Sequence, residues 1–144
     1  MNKILKYGRI CLLIMLIGHL VSCQQKKESP TALLFEETMD LHDVAMAKMG
    51  EIYKLKKSLT EKSDSLLQIT PVDSSLQEKF TYLINQLETA DESMMSWMAQ
   101  FETKYKNEDS EESLNYYEDQ KQKILVVSKS MNEAIDQARK ATQN

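Results

Sequence analysis

From Leu76 the apolar residues return at alternating steps of four and three: Leu76, Phe80, Leu83, Leu87, Ala90, Met94, Trp97 and Phe101. A seam sustained for nearly four heptads predicts a helix with one face committed to a partner helix. Leu114, Tyr117, Lys121, Ile124, Ser128, Met131, Ile135 and Ala138 keep the same steps, with Lys121 and Ser128 as polar exceptions. Earlier in the chain two rows run side by side. One holds Leu34, Thr38, Leu41, Ala45, Ile52, Leu55 and Leu59; the other holds Phe35, Met39, His42, Met46, Met49 and Tyr53. At about 100° per residue the two rows merge into one broad apolar face, into which His42 points. No stretch alternates with the period of a strand.

The breaks between these patterns carry their own signals. Ser29 is placed to cap a first helix, with Pro30 as its first residue. Pro71 blocks continuation of that helix through "KSDSLLQITPVD". A second helix opens at Asp73 or Ser74, where "SSLQE" offers overlapping capping boxes, Ser74 to Gln77 and Ser75 to Glu78. "NEDSEE" ends it and supplies the next cap at Asp109 or Ser110. Acids in the new first turn suit the helix dipole, as do Arg139 and Lys140 in the last. The expected fold is therefore all-α, an elongated, coiled-coil-like up-down-up three-helix bundle over 30–144, with helices at about 30–63, 74–106 and 111–142. Helices of about thirty residues would each be roughly 45–50 Å long, and short connections make neighbours antiparallel.

Linker lengths give a register. Folding the first two helices about residue 68 brings His42 level with Met94, Met39 with Met98, and Met46 with Asp91. Folding the last two about residue 108 brings Lys121 near Met95 and Tyr117 near Met98. Two methionine clusters far apart in sequence then share one layer: Met39, His42, Met46, Met94 and Met98, with Trp97 beside them and Met49 one turn away.

The first 22 residues stand apart from this pattern. Lys3, Lys6 and Arg9 precede an apolar run from Ile10 to Val21 that is too short and wrongly flanked for a stable membrane span. The run ends in "LVSC", residues 20–23, which resembles the bacterial lipobox. That resemblance implies a signal peptide over 1–22, cleavage before Cys23, lipidation of its thiol, and a polar tether over 23–29. Two or three acyl chains hold a protein on a membrane stably where one does not, each buried methylene contributing about 0.8 kcal/mol. Gln24 carries no strong inner-membrane retention cue, so the expected address is the cell envelope, lipid-anchored at the outer membrane.

Cleavage changes the chemical inventory. It leaves 122 residues and removes three positive charges and no acids, taking the net charge from −4 to −7. Cys11 departs and Cys23 becomes a thioether, so neither a disulfide nor thiolate-bound metal is available. His19 also departs, and His42 remains as the only histidine. A multi-histidine zinc site is thereby excluded, as is a serine triad anywhere but around residue 42. The acidic balance, with no basic patch interleaved with aromatics, argues against nucleic acid.

The stretches "HDVAMAKMGEI", "ADESMMSWMAQF" and "YYEDQKQKILVVSKSMNEAIDQA" resemble a family of small bacterial lipoproteins often labelled "viral A-type inclusion protein". The clearest marks are His42-Asp43, Met46, Met49, Met94-Met95, Trp97-Met98 and Phe101. The resemblance spans nearly the whole chain after Cys23. It implies a helical lipoprotein and brings no established activity.

Two readings of the methionine layer stay open. Thioethers select Cu(I), imidazole adds a stronger donor, and helical steps of three and four put such donors on one face. On this reading Met39, His42, Met46, Met49, Met94 and Met98, with Trp97 adjacent, form a Cu(I) or Ag(I) site. On the other they are core: methionine fills irregular interiors and favours aromatic neighbours, and His42 bonds to Asp91 or Tyr117 to set register. A His42-Asp43 dyad is not expected, since adjacent helix positions point about 100° apart and Asp43 would face solvent. With no nucleophile elbow, phosphate loop or calcium-loop spacing, the expectation is a non-catalytic envelope lipoprotein with a structural or protein-binding role. A periplasmic Cu(I)- or Ag(I)-binding lipoprotein is the alternative.

Overall fold

The computed structural model describes residues 29–69, 71 and 73–143. The expected signal peptide, Cys23 and residues 24–28 of the expected tether lie outside the described residues. The described chain is helical, without strand: α1 (Pro30–Met46), α2 (Met49–Leu66), α3 (Ser74–Gln100), a single 3-10 turn (Lys104–Asn107) and α4 (Glu111–Thr142). α1 and α2 together form the first of three arms. None of the described helices is long and apolar enough to cross a membrane.

The helix starts follow from side-chain chemistry. Ser29 caps α1, its Oγ accepting from the Ala32 N–H at 3.0 Å, with Pro30 next in line. Asp73, rather than either capping box, caps α3 through the Leu76 N–H at 3.0 Å. Ser110 caps α4, accepting from the Ser113 N–H at 3.1 Å. Each bond satisfies one of the backbone donors that a helix start leaves without a partner.

Two boundaries differ from expectation. The first arm is broken at Ala47–Lys48, where Lys48 N–H bonds to the Ala45 carbonyl three residues back and not four. Gly50 lies just beyond, and glycine costs a helix about 1 kcal/mol relative to alanine. The second arm ends at Gln100, six residues early, because Phe101 turns to extended backbone (φ −74°, ψ 128°) and the chain passes into the 3-10 turn.

The α3 seam is read correctly from the sequence: Phe80, Leu83, Leu87, Ala90, Met94 and Trp97 are all buried. In α4 the seam lies one residue over from expectation at its centre. Gln120 is buried, while Lys121 is half-buried and pairs with Glu37 at 2.6 Å, not with Asp91. Tyr53, expected on the apolar face of the first arm, is 70% exposed.

A stricter repeat runs beneath these seams. Thr31, Thr38, Ala45, Ile52 and Leu59, each seven apart, are buried to 1% exposure or less. Tyr117, Ile124, Met131 and Ala138 do the same in α4, each fully buried. The first three residues of the earlier repeat are small, and α1 lies close along α4. α1 and α3 meet instead through large rings, Phe35 against Phe101 and His42 against Trp97. α2 packs on both α3 and α4.

The first arm and α4 run parallel, and polar pairs hold their register. Glu37 meets Lys121, Lys48 meets Asn132, and Glu51 takes the Arg139 guanidinium with two hydrogen bonds of 2.5 and 2.7 Å. The carboxylates of Glu37 and Glu51 raise the pKa of Lys121 and Arg139 respectively.

Candidate functional site

The end of the bundle where α1 begins, α3 ends and α4 begins holds most of the rings. Trp97 stacks on Phe101 with centroids 4.8 Å apart. Phe101 reaches Phe35 at 6.0 Å and Tyr117 at 5.9 Å, and Tyr117 meets Phe35 edge-on at 5.5 Å. Tyr116 and Tyr105 continue the chain of rings at 5.0 Å, and the Lys106 ammonium sits 4.6 Å from the Phe35 centroid. Such pairs contribute about 0.5–1.5 kcal/mol each beyond the area they bury.

His42 lies at the inner margin of this cluster, its ring 5.6 Å from the Trp97 indole at an interplanar angle of 31°. Its side chain keeps 15% exposure, so the ring occupies the rim of the apolar face and not its middle. From the rim Nδ1 reaches the Asp43 carboxylate at 2.8 Å. This corrects two expectations: Asp43, not Asp91 or Tyr117, is the partner of His42, and adjacent positions do form a dyad. The Cβ vectors diverge, but a ring at the rim and a short carboxylate can turn toward each other across that angle. A carboxylate can only accept here, so Nδ1 carries a proton, and in the neutral imidazole the lone pair lies on Nε2.

The methionines of the predicted layer all face the core. Met94 is fully buried within it, and Met46, Met49 and Met98 are partly buried against it. Met39 is half-buried one turn before His42. Among the described residues no three of His, Cys, Asp and Glu cluster as ligands of a hard or borderline metal ion would.

A second feature escaped the sequence reading. Between α3 and α4 runs a groove of about 780 Å³, lined by Trp97, Val126 and Val127 among the hydroxyls and amides of Ser93, Ser96 and Gln120. Val126 is 69% exposed there. The indole N–H of Trp97 is buried without a hydrogen-bond partner. The continuous apolar run "ILVV" at 124–127 was the available signal: a one-sided helix has no need of four such residues in succession.

No protein-family description, curated protein or solved structure matches this chain.

Proposed function

We propose that the protein is a non-catalytic lipoprotein of the cell envelope, held by acyl chains on Cys23, whose bundle offers the α3–α4 groove to a protein partner. The observation that carries the partner reading is Val126, a β-branched residue left in water at the mouth of a groove that also contains Val127 and Trp97. Apolar surface rimmed by polar side chains is the usual composition of an interaction site. The lining brings together one acid, Glu92, and one base, Lys123, and Asp119 already holds the latter at 2.6 Å. That inventory suits recognition better than proton transfer. The lipobox at 20–23 and the short polar tether before Ser29 support the anchor, and the resemblance to small helical lipoproteins agrees with both.

Two experiments test this reading. Cys23→Ala should move the protein from the membrane fraction to the soluble one; retention after salt and carbonate washing overturns the anchor. A photocrosslinking residue at Val126 should give a discrete adduct in cells, while one at the exposed Asp64 on α2 gives none. Equal labelling at both positions, or none at Val126, overturns the docking face.

A further inference from the structure

We infer that His42 and its flanking methionines form a binding site for one soft monovalent cation, Cu(I) or Ag(I). The inference does not depend on the anchor or on the α3–α4 groove.

The first support is the tautomer of His42. Nδ1 is committed to Asp43 at 2.8 Å, which leaves Nε2 as the donor atom. A ligating histidine almost always gives its other ring N–H to a carboxylate or carbonyl, which fixes the ring and raises its basicity. Asp43 is 75% exposed and has no packing role that would otherwise explain the pair.

The second support is the company Nε2 keeps. Met39 and Met46 stand three residues before and four after His42, on the same helical face, where neighbouring Cβ atoms are about 5–6 Å apart. From the other arm, Trp97 meets the His42 ring, and Met94, one turn before it on the same buried face of α3, follows that ring inward, with Met98 next along the helix. Met46 and Met98 are partly buried against a common core. Methionine has three rotatable bonds beyond Cα and a polarizable sulfur, so modest side-chain rotation brings a thioether onto Nε2. Met94 is fully buried.

Charge then selects the ion. Thioethers and a neutral imidazole bring no charge, so Asp43 alone compensates the metal. A monovalent ion gives a neutral half-buried site; a divalent ion would leave one positive charge there. Hard divalent ions also need several oxygen donors, and among the described residues no further acid clusters with His42 and Asp43. Thioether with imidazole is a soft donor set that suits Cu(I), and Ag(I) follows the same preference.

The test is a titration of the detergent-solubilised full chain with Ag(I), which needs no exclusion of oxygen. Cysteines are alkylated first, so that no thiolate competes for the ion. One equivalent should bind with a dissociation constant below micromolar and quench Trp97 fluorescence. It should shift the methyl resonances of Met39, Met46 and Met98, and leave those of Leu59, buried far along the first arm, in place. His42→Leu should abolish the quench. Asp43→Asn, a surface change that leaves the packing intact, should weaken binding about 10-fold, the lower end for loss of such a partner. Binding no tighter than micromolar overturns the inference. So does tight binding that survives His42→Leu, or binding indifferent to Asp43→Asn.

Discussion

The hydroxyl of Tyr117 donates to the main-chain carbonyl of Glu102 at 3.1 Å, while its neighbour Tyr116 accepts from the Glu102 N–H at 2.7 Å. Two adjacent residues of α4 thus satisfy both backbone groups of one residue in the α3–α4 connection. Both polar atoms of Glu102 would otherwise rely on water, since the chain leaves helical geometry at Phe101. Tyr117→Phe keeps the ring against Phe35 and Phe101 and removes only the hydroxyl. It should cost about 0.5–1.5 kcal/mol, the ordinary net worth of such a bond, measured as a lower urea midpoint with an unchanged slope.

The same hydroxyl gives the fold an alkaline limit. Burial, more than the neighbouring Tyr116 and Glu102, raises the pKa of Tyr117 above its ordinary 10.0. The folded state therefore holds its proton where the unfolded chain releases it. This contribution is fully present below pH 10 and is lost as pH rises from there through the folded-state pKa. Above pH 10, unfolding free energy should fall less steeply in Tyr117→Phe than in the wild type; parallel curves would contradict this.

The break in the first arm predicts a stabilising substitution. A Cβ added at Gly50 would meet nothing within 4 Å, and the residue lies within α2. Gly50→Ala should raise stability by about 0.5–1 kcal/mol through helix propensity and reduced freedom of the unfolded chain. Thermal melting followed by circular dichroism should show the increase.

The seven-residue repeat of the first arm predicts penalties of different origin at its middle and at its end. Leu59 is fully buried, so Leu59→Ala should leave a void and cost about 2–5 kcal/mol. Ala45 is equally buried, in the segment that lies closest to α4. Ala45→Leu should force that approach apart at a cost of about 1–3 kcal/mol. Denaturant unfolding of the two variants checks both; an unaltered Ala45→Leu protein would mean that α1 has room to move outward.

How much of this was legible in the sequence depended on how honestly polarity reports burial. The α3 seam could be read residue by residue because its buried positions are apolar. α4 misled at Lys121 because its buried row includes Ser113 and Gln120, polar residues that a hydrophobic pattern passes over. In the first arm Thr31 and Thr38 are buried for their small size, and Thr38 spends its hydroxyl on the Leu34 carbonyl at 2.7 Å. The helix start at Ser29 was readable from local chemistry. The His42-Asp43 pair was not, since it depends on where the ring settles at the rim, which only the packing against Trp97 decides. Linker lengths alone suggest a methionine layer, and Met46, Met49 and Met98 are partly buried against the core, which runs the length of the bundle.

Three arms are an odd number, and this determines where a load would be felt. The chain enters at the ring-filled end and finishes α4 at the other, 32 residues away, about 48 Å along the axis at 1.5 Å per residue. If the bundle is tethered by its first residues, whatever is joined to its last stands off from the attachment by that distance. Tension between the two ends would then slide the first arm along α4, loading every rung from Glu37–Lys121 to Glu51–Arg139 in shear at once. A hairpin of two arms, with both ends together, would open like a zipper, one rung at a time.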